Sequence, residues 1–565
     1  MRSVSRLWSR LRRSSRRQHH SIGRLPDELL FACLSLLDAP GVVKNRQVCR
    51  RWRDLIDCDA YLQLKIELWA SDLLDGPPSN VGIEERLKLL REYKERRKDA
   101  QFYADLDYRL GPEDVDGQMQ GSVDGSISYI LPAGTSPRLV ICSPPSSLRC
   151  LDKRIWALTL DNIEGTIRMI ATDVAQDLLM VAETPPDRQW DVRFHFLSID
   201  NGGQPHPSAV SPITRQLPPD MQGEMRYHFN VFSMRICGDH VAWNLRRPSN
   251  LDDPRCYEFE IWNWKTGRLV WARIFNKFVM ATFLDPCHIL LVGKAFQSRR
   301  IMHIHRITTS NGSAILNLAL SVDPTHICSL QLPPLLGSCT SQIFCDRLTC
   351  TAHTPTTGSI FAPDPASALV TLQFLVENVR FILVIPLWAL RRKINEVLAR
   401  PAYRRWRLLF WSDWGPQCSV VLPLAYRRSY TQRFLLQDLE AFGSRLGLLP
   451  EFDEGNPDSG RIILLDFSCT HGRARYASPV ASELLNSALV HRDTWSRFFS
   501  KETMRSTLPY CVTVGPNVTL PRWNDERTAV ASRLIMQPDG FTLAYEQLGQ
   551  PWQDVPHLRF DTYYI

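Results

Sequence analysis

The chain has 565 residues, 44% hydrophobic and 22% charged, a composition expected of a folded, soluble protein with room for several domains and unlike disordered or collagen-like chains. Its net charge of +8 does not mark a nucleic-acid-binding body, because eight of the 67 basic residues fall in the first 24 positions, which hold no acid, and the rest balances 59 against 59. Fifteen cysteines without a C-x-x-C pair read as reduced thiols rather than a disulfide framework.

Residues 1–21 carry most of that excess: Arg2, Arg6, Arg10, Arg12, Arg13, Arg16 and Arg17, interleaved with serine and with Val4, Leu7, Trp8 and Leu11. A solvated, disordered arm is the first expectation. A basic patch for nuclear import or an anionic surface comes second, and a mitochondrial presequence third. The tail has no apolar core of the secretory kind.

Residues 26–37 then read as a helix, with Pro26 at its start and Asp27 and Glu28 in its first turn, where the dipole favours acids. Two apolar stripes run along it: Leu29, Cys33 and Leu36/Leu37 on one, Leu30 and Leu34 on the other. A surface helix buries one stripe, so the second calls for a cover from elsewhere. "DAPG" breaks the chain at 38–41. A short helix through Val42, Val43 and Val48 follows, then "CRRWRDLIDC" with Trp52, Leu55 and Ile56 on its apolar face.

The order Leu-Pro-x-Glu-Leu-Leu, an apolar helix, a turn with proline, Val-Cys-Arg-Arg-Trp and the closing "YLQLKIEL" resembles the F-box over residues 22 to about 70. Leu25, Pro26, Glu28, Leu29, Leu30, Leu34, Leu37, Val48, Cys49 and Trp52 match that family's pattern. Cys33 and Asn45 depart from it, standing where Ile and an apolar residue are usual. The resemblance implies docking on the Skp adaptor and, through it, membership of a cullin–RING ubiquitin ligase (the SCF type). Leu25, Pro26, Glu28, Leu29, Leu30, Leu34, Leu36, Leu37, Val48 and Trp52 are then the expected adaptor-binding set. Leu29, Leu30, Leu34 and Leu36 would be its anchors, Pro26 would fix the approach of the chain, and Trp52 would hold the third helix.

Residues 71–114 read as a linker, "SDLLDGPPSN", followed by an amphipathic helix over 81–100 with Ile83, Leu87, Leu90 and Lys94 on one side. From residue 115 to 565, short β-branched and aromatic runs alternate with Gly, Pro, Asn and Asp clusters, which marks all-β architecture. "FEIWNWKTGRLVW" (259–271) resembles the outer hairpin of a WD-type propeller blade. "RWRLLFWSDWGP" (405–416) and "SGRIILLDFSCTHGRAR" (459–475) look like weaker relatives of it. The expected fold is therefore α+β and multidomain, a small three-helix module ahead of a large propeller-like domain, with a sandwich or barrel as the alternative. A helical insertion over 386–400 presents Leu387, Leu390, Ile394 and Val397/Leu398 on one face, as a helix laid over a sheet edge would.

No Walker A, G-x-G-x-x-G, G-x-S-x-G or H-E-x-x-H sequence is present. Cys339, Cys345, Cys350 and His353 are close in sequence but spaced unlike a structural zinc site. His303 and His305 share a strand face without an acidic or cysteine neighbour, and Asp173, Asp239 and Asp466 stand where turns are expected. Arg299/Arg300, Arg391/Arg392, Arg404/Arg405 and Arg427/Arg428 read as solvated charges, although guanidinium pairs also suit a phosphorylated segment.

No catalysis, cofactor, metal or membrane span is expected. The functional expectation is a receptor subunit holding an unspecified protein substrate, in the cytoplasm or nucleus. The alternative is a nucleic-acid or anionic-surface binder acting through the arginine tail.

Overall fold

The computed structural model describes residues 25–98, 101–109, 118–120, 126–131, 138–188, 191–216, 230–246, 257–275, 279–293, 301–307, 316–317, 325–334, 336, 344–350, 359–376, 379–400, 408–425, 439–448, 459–468, 475–476, 485, 489, 496–519, 529–537, 539–548 and 558–564. These divide into two compact units, 1–71 with 80–91, and 72–79 with 92–565. The arginine tail, Cys339, His353, Arg299/Arg300, Arg404/Arg405 and Arg427/Arg428 lie outside the described residues.

The first unit is helical: α1 Asp27–Ser35, α2 Ala39–Asn45, α3 Arg50–Cys58 and α4 Ala60–Ala70. The closing "YLQLKIEL" segment is thus a fourth helix, started by Asp59, whose carboxylate accepts the Leu62 amide at 2.9 Å. Asp38 caps α2 in the same way, taking the Gly41 amide at 2.9 Å, with Pro40 in the first turn. Helix α5, Ile83–Lys98, gives its first turns to this unit and its last to the second.

The second unit is a seven-bladed β-propeller of four-stranded antiparallel blades, three of which gain a short fifth strand that pairs parallel. Blade 1 comprises Gln118–Gln120, Ile127–Leu131, Arg138–Ser143 and Arg154–Thr159; blade 2 comprises Thr166–Asp173, Leu178–Thr184, Val192–Ser198 and Ile213–Arg215. Blade 3 is Asn230–Cys237, His240–Arg246, Tyr257–Asn263 and Arg268–Phe275; blade 4 is Val279–Asp285, His288–Gly293, Ile301–Arg306 and His326–Gln331. Blade 5 is Phe344–Cys350, Leu369–Val376, Val379–Pro386 and Val420–Ala425; blade 6 is Leu439–Phe442, Arg445–Leu448, Ser459–Asp466 and Cys511–Thr519. Blade 7 takes Ala529–Met536, Gly540–Leu548 and Leu558–Tyr564, and its outer strand is Tyr103–Arg109.

That last pairing closes the ring, Tyr103 opposite Tyr564, so the closing strand comes from the stretch the sequence assigns to a linker. Leu73–Asp75 also belongs to this unit, paired antiparallel with Phe361–Pro363. Between blades 1 and 7, Ser146 donates its hydroxyl to Asp539 at 2.7 Å.

Connections from the third to the fourth strand repeatedly reach back over the preceding blade. Leu316–Asn317, from blade 4, pairs parallel with the outer strand of blade 3, and Leu408–Leu409, from blade 5, does so with blade 4. Leu489, from blade 6, bridges to Leu424 of blade 5, and the Trp156 indole of blade 1 donates to Asp200 of blade 2 at 2.9 Å. Covered edges of this kind leave fewer unpaired amides to template aggregation.

The hairpin expected at 259–271 forms, between Tyr257–Asn263 and Arg268–Phe275 in the outer half of blade 3. Gly267 makes its turn at φ +65°, a conformation an L side chain strains to adopt. The two weaker relatives are corrected. Residues 405–416 give the short strand Leu408–Leu409 and then helix α7, Trp411–Cys418, whereas Ser459–Asp466 is a single strand flanked by Arg445–Leu448 and Cys511–Thr519. The insertion at 386–400 is helix α6, Leu387–Leu398, with Leu387, Leu390, Ile394 and Val397 buried as expected and Ala389 beside them. It is Leu408–Leu409, not this helix, that occupies the edge hydrogen bonds of blade 4.

Two of the three aspartates serve turns as expected: Asp173 accepts from the Gln176 amide at 2.6 Å, and Asp239 pairs with Lys265 at 2.7 Å. Asp466 does more, since besides taking the Ser468 amide at 3.1 Å it forms an ion pair with Arg97 from the end of α5.

Candidate docking surface

Helix α1 separates its two apolar stripes by burial. Leu30 and Leu34 are 1% and 2% exposed, and Leu34 packs with Val42, Ile56 and Leu62 in the module's core, lined by Phe31, Leu37, Trp52, Leu55 and Ile66. The other stripe is open: Leu29 is 52% exposed, Leu36 87%, and Cys33 between them is exposed as well. Val48, just before α3, adds another exposed apolar side chain at 62%.

The expected adaptor-binding residues therefore fall into two groups. Leu29, Leu36 and Val48 stand outward with Pro26 and Glu28, whereas Leu30 and Leu34, expected as anchors, are buried, Leu34 in the module's own core. Leu25, Leu37 and Trp52 are half-buried. Pro26 occupies the position just before the first helical residue, φ −53° and ψ 153°, and its carbonyl accepts the Leu30 amide at 3.1 Å.

Polar ties hold the open stripe in place. Arg51 of α3 reaches Asp27 Oδ1 at 2.6 Å and the Leu25 carbonyl at 2.6 Å, fixing the first turn of α1. Lys65 of α4 donates to the Ser35 carbonyl at 2.9 Å, satisfying one of the acceptors that the end of α1 leaves over. Arg46 and Asp57 form a two-pronged pair at 2.6 and 2.9 Å, which holds the Asp57 carboxyl below the usual range. No local sequence signal marks these three ties; Arg51 lies inside "CRRWR", 24 residues from Asp27, and only the fold brings the two together. Asn45 is accommodated locally, its amide donating to the Gly41 carbonyl at 2.8 Å.

What the stripe presents is apolar area. Covering leucine and valine side chains of this exposure is worth about 1–3 kcal/mol each. Among the described residues, no group of three or more His, Cys, Asp or Glu is placed to hold a metal ion, and no helix is long and apolar enough to cross a membrane.

Residues 22–65 match a family model described as F-box-like. No curated protein matches the chain. Among solved structures, the polysaccharide lyase Uly1 is similar over 87% of this chain and 96% of its own, at 7% identity and a TM-score of 0.35. The β-propeller domain of the Trilobed protease from Pyrococcus furiosus is similar over 64% and 94%, at 10% identity and a TM-score of 0.28. Likenesses this distant say nothing of function.

Proposed function

Starting from an F-box-like domain at residues 22–65 ahead of a seven-bladed propeller, we propose that this protein is the substrate receptor of an SCF-type ubiquitin ligase. The F-box indicates binding to the Skp adaptor. The observation that supports the reading most directly is the open stripe of Leu29, Cys33 and Leu36 on a module that buries Leu34, Val42, Ile56 and Leu62 in a core of its own. A helix that keeps an apolar face outward after its own domain is packed suits a groove on another protein.

F-box proteins are generally non-catalytic, and this chain would contribute proximity, holding a target near the transferase so that reaction becomes effectively intramolecular. The propeller is the receptor in this reading, and the cytoplasm or nucleus its place of work. Capture by the Skp adaptor tests the reading. Leu29→Asp/Leu36→Asp should abolish capture of the full chain while its circular dichroism and thermal unfolding stay unchanged; undiminished capture would reject the docking assignment.

A further inference from the structure

We propose that the outer strand of blade 1, Arg154–Thr159, takes an extended segment of a partner polypeptide as a fifth, parallel strand, with an acidic residue of that segment facing Arg154. The other outer edges are guarded. In blades 3, 4 and 6 a short strand pairs parallel with the outer strand: Leu316–Asn317, Leu408–Leu409 and Arg475–Tyr476. Leu489 bridges to the outer strand of blade 5, and blade 2 ends in a strand of only three residues, Ile213–Arg215. The outer strand of blade 7 carries Asp105 and Asp107 and a register shift between Leu106 and Tyr108. Covering segments, short length, charges and bulges all keep an edge from pairing with another chain.

Blade 1 has none of these beyond a single arginine at the start of its strand. Arg154–Thr159 pairs with Arg138–Ser143 over six residues without a register shift, and among the described residues no strand or bridge lies along its other side. Ile155 is 45% exposed, and Ala157 and Thr159, on the same face, are exposed with it. Leu158, on the opposite face, packs against Leu179 and Leu197 of blade 2. The blade 2 connection reaches this edge through Asp200, which accepts the Trp156 indole proton at 2.9 Å, but it adds no strand. A row of outward peptide groups is complementary to an extended backbone, which can join the sheet by strand addition.

Charge and strand direction choose the occupant. Arg154 is exposed and stacks over the Trp156 ring at 5.6 Å, so a neighbouring strand gains from a carboxylate on that face and from β-branched side chains beside Ile155 on the other. The chain's own residues 1–21 are a poor match, with seven arginines and no acid. A second copy is a poor match too. Equal edges paired about a two-fold axis run antiparallel, whereas the three strands added to outer strands here run parallel. That the segment belongs to a protein destined for ubiquitination rests on the receptor reading above; the capacity of the edge to add a strand does not.

Fluorescence anisotropy of the labelled peptide Ser-Glu-Val-Ser-Val-Ser-Val with the full chain, no adaptor present, tests the proposal and keeps its failure separate from a failure of adaptor capture. The peptide should bind saturably. Ile155→Lys should weaken binding about tenfold, whereas Val210→Lys, exposed at 65% ahead of the blade 2 outer strand, should leave it unchanged. Exchanging the peptide's glutamate for glutamine should weaken binding to the parent roughly 2- to 5-fold and make no difference to Arg154→Gln. The reversed sequence, which sets its glutamate far from Arg154 in a parallel pair, should bind more weakly. Hydrogen exchange on the parent should show the peptide protecting 154–159 while 268–275, an edge that Leu316–Asn317 covers, stays as it was. Absent binding, equal binding by Ile155→Lys, protection elsewhere than 154–159, or tighter binding of the reversed peptide would overturn the proposal. So would a dimer that Ile155→Lys dissociates, or binding that appears only once residues 1–21 are removed, since each gives the edge to another occupant.

Discussion

Trp243 of blade 3 donates its indole proton to Glu260 Oε2 at 2.9 Å, across neighbouring strands of one sheet. Trp262 donates to the same oxygen at 2.8 Å, and Arg215 from blade 2 reaches the other oxygen at 2.8 Å. Phe194 of blade 2 stacks on Trp243 with centroids 3.8 Å apart, so a carboxylate and its donors sit inside an apolar junction.

Burial pushes the Glu260 pKa up to about 7, with Arg215 opposing it and Glu258 adding to it. A carboxyl in the unfolded chain titrates near 4.3, so between there and 7 the folded state binds the extra proton. Stability contributed by this group is therefore present at low pH and lost as pH rises through the window, by about 3–4 kcal/mol in all. Thermal unfolding of Glu260→Gln and the parent at pH 5, 6 and 7 tests this: the gap between them should shift in the parent's favour on acidification. Parallel curves would show that the carboxylate stays ionised, held by Arg215 and the two indoles.

The divided face of α1 gives a second prediction. Leu34→Ala removes a side chain 2% exposed in a core of few residues and should cost about 2–5 kcal/mol. Leu36→Ala, at 87% exposure, should cost less than about 0.5 kcal/mol. Proteolysis within residues 25–70 distinguishes them: the first variant should be cut readily, the second should match the parent. Equal resistance would mean that Leu34 is not structural and that the two stripes have been exchanged.

How far the sequence reveals this molecule depends on the range of the interaction. Spacing at 3 and 4 residues is local, and it located α1, α3, α5 and the buried face of α6. Alternation around the "KTG" turn is local too, and the 257–275 hairpin followed from it. The stretch 405–416 was misread because "LLFWSDW" is as aromatic as a strand; Trp411, Trp414 and Cys418, buried at helical spacing, carry the signal that separates the two. Nothing local announces that Tyr103–Arg109 pairs with Leu558–Tyr564, because its partner lies more than 400 residues away. Of the docking face, the doubling of stripes was legible but not which one faces outward, since that is decided by Val42, Ile56 and Leu62 arriving from other helices.

Ring closure supplies the last prediction. Gly540 begins the second strand of blade 7 directly opposite Tyr564, and its carbonyl accepts the Gln537 amide at 3.0 Å. A Cβ placed there would run into the Tyr563 carbonyl oxygen and come within 2.8 Å of the Tyr564 Cα. Both obstacles are backbone, so the strand itself must move, and this is the strand that Tyr103–Arg109 uses to close the ring. Gly540→Ala should therefore cost about 1–3 kcal/mol through overpacking and strand displacement. The contrast is Gly202→Ala, at φ +63° with nothing within 4 Å, where only the left-handed backbone is penalised, by about 1–2 kcal/mol. Thermal unfolding alone would not separate two such losses, but exchange at the closing strand would. Gly540→Ala should deprotect 103–109 and 558–564 selectively, whereas Gly202→Ala should leave them as protected as in the parent. Uniform loss of protection around all seven blades in Gly540→Ala would mean that the ring opens as one unit, with no weak point at its seam.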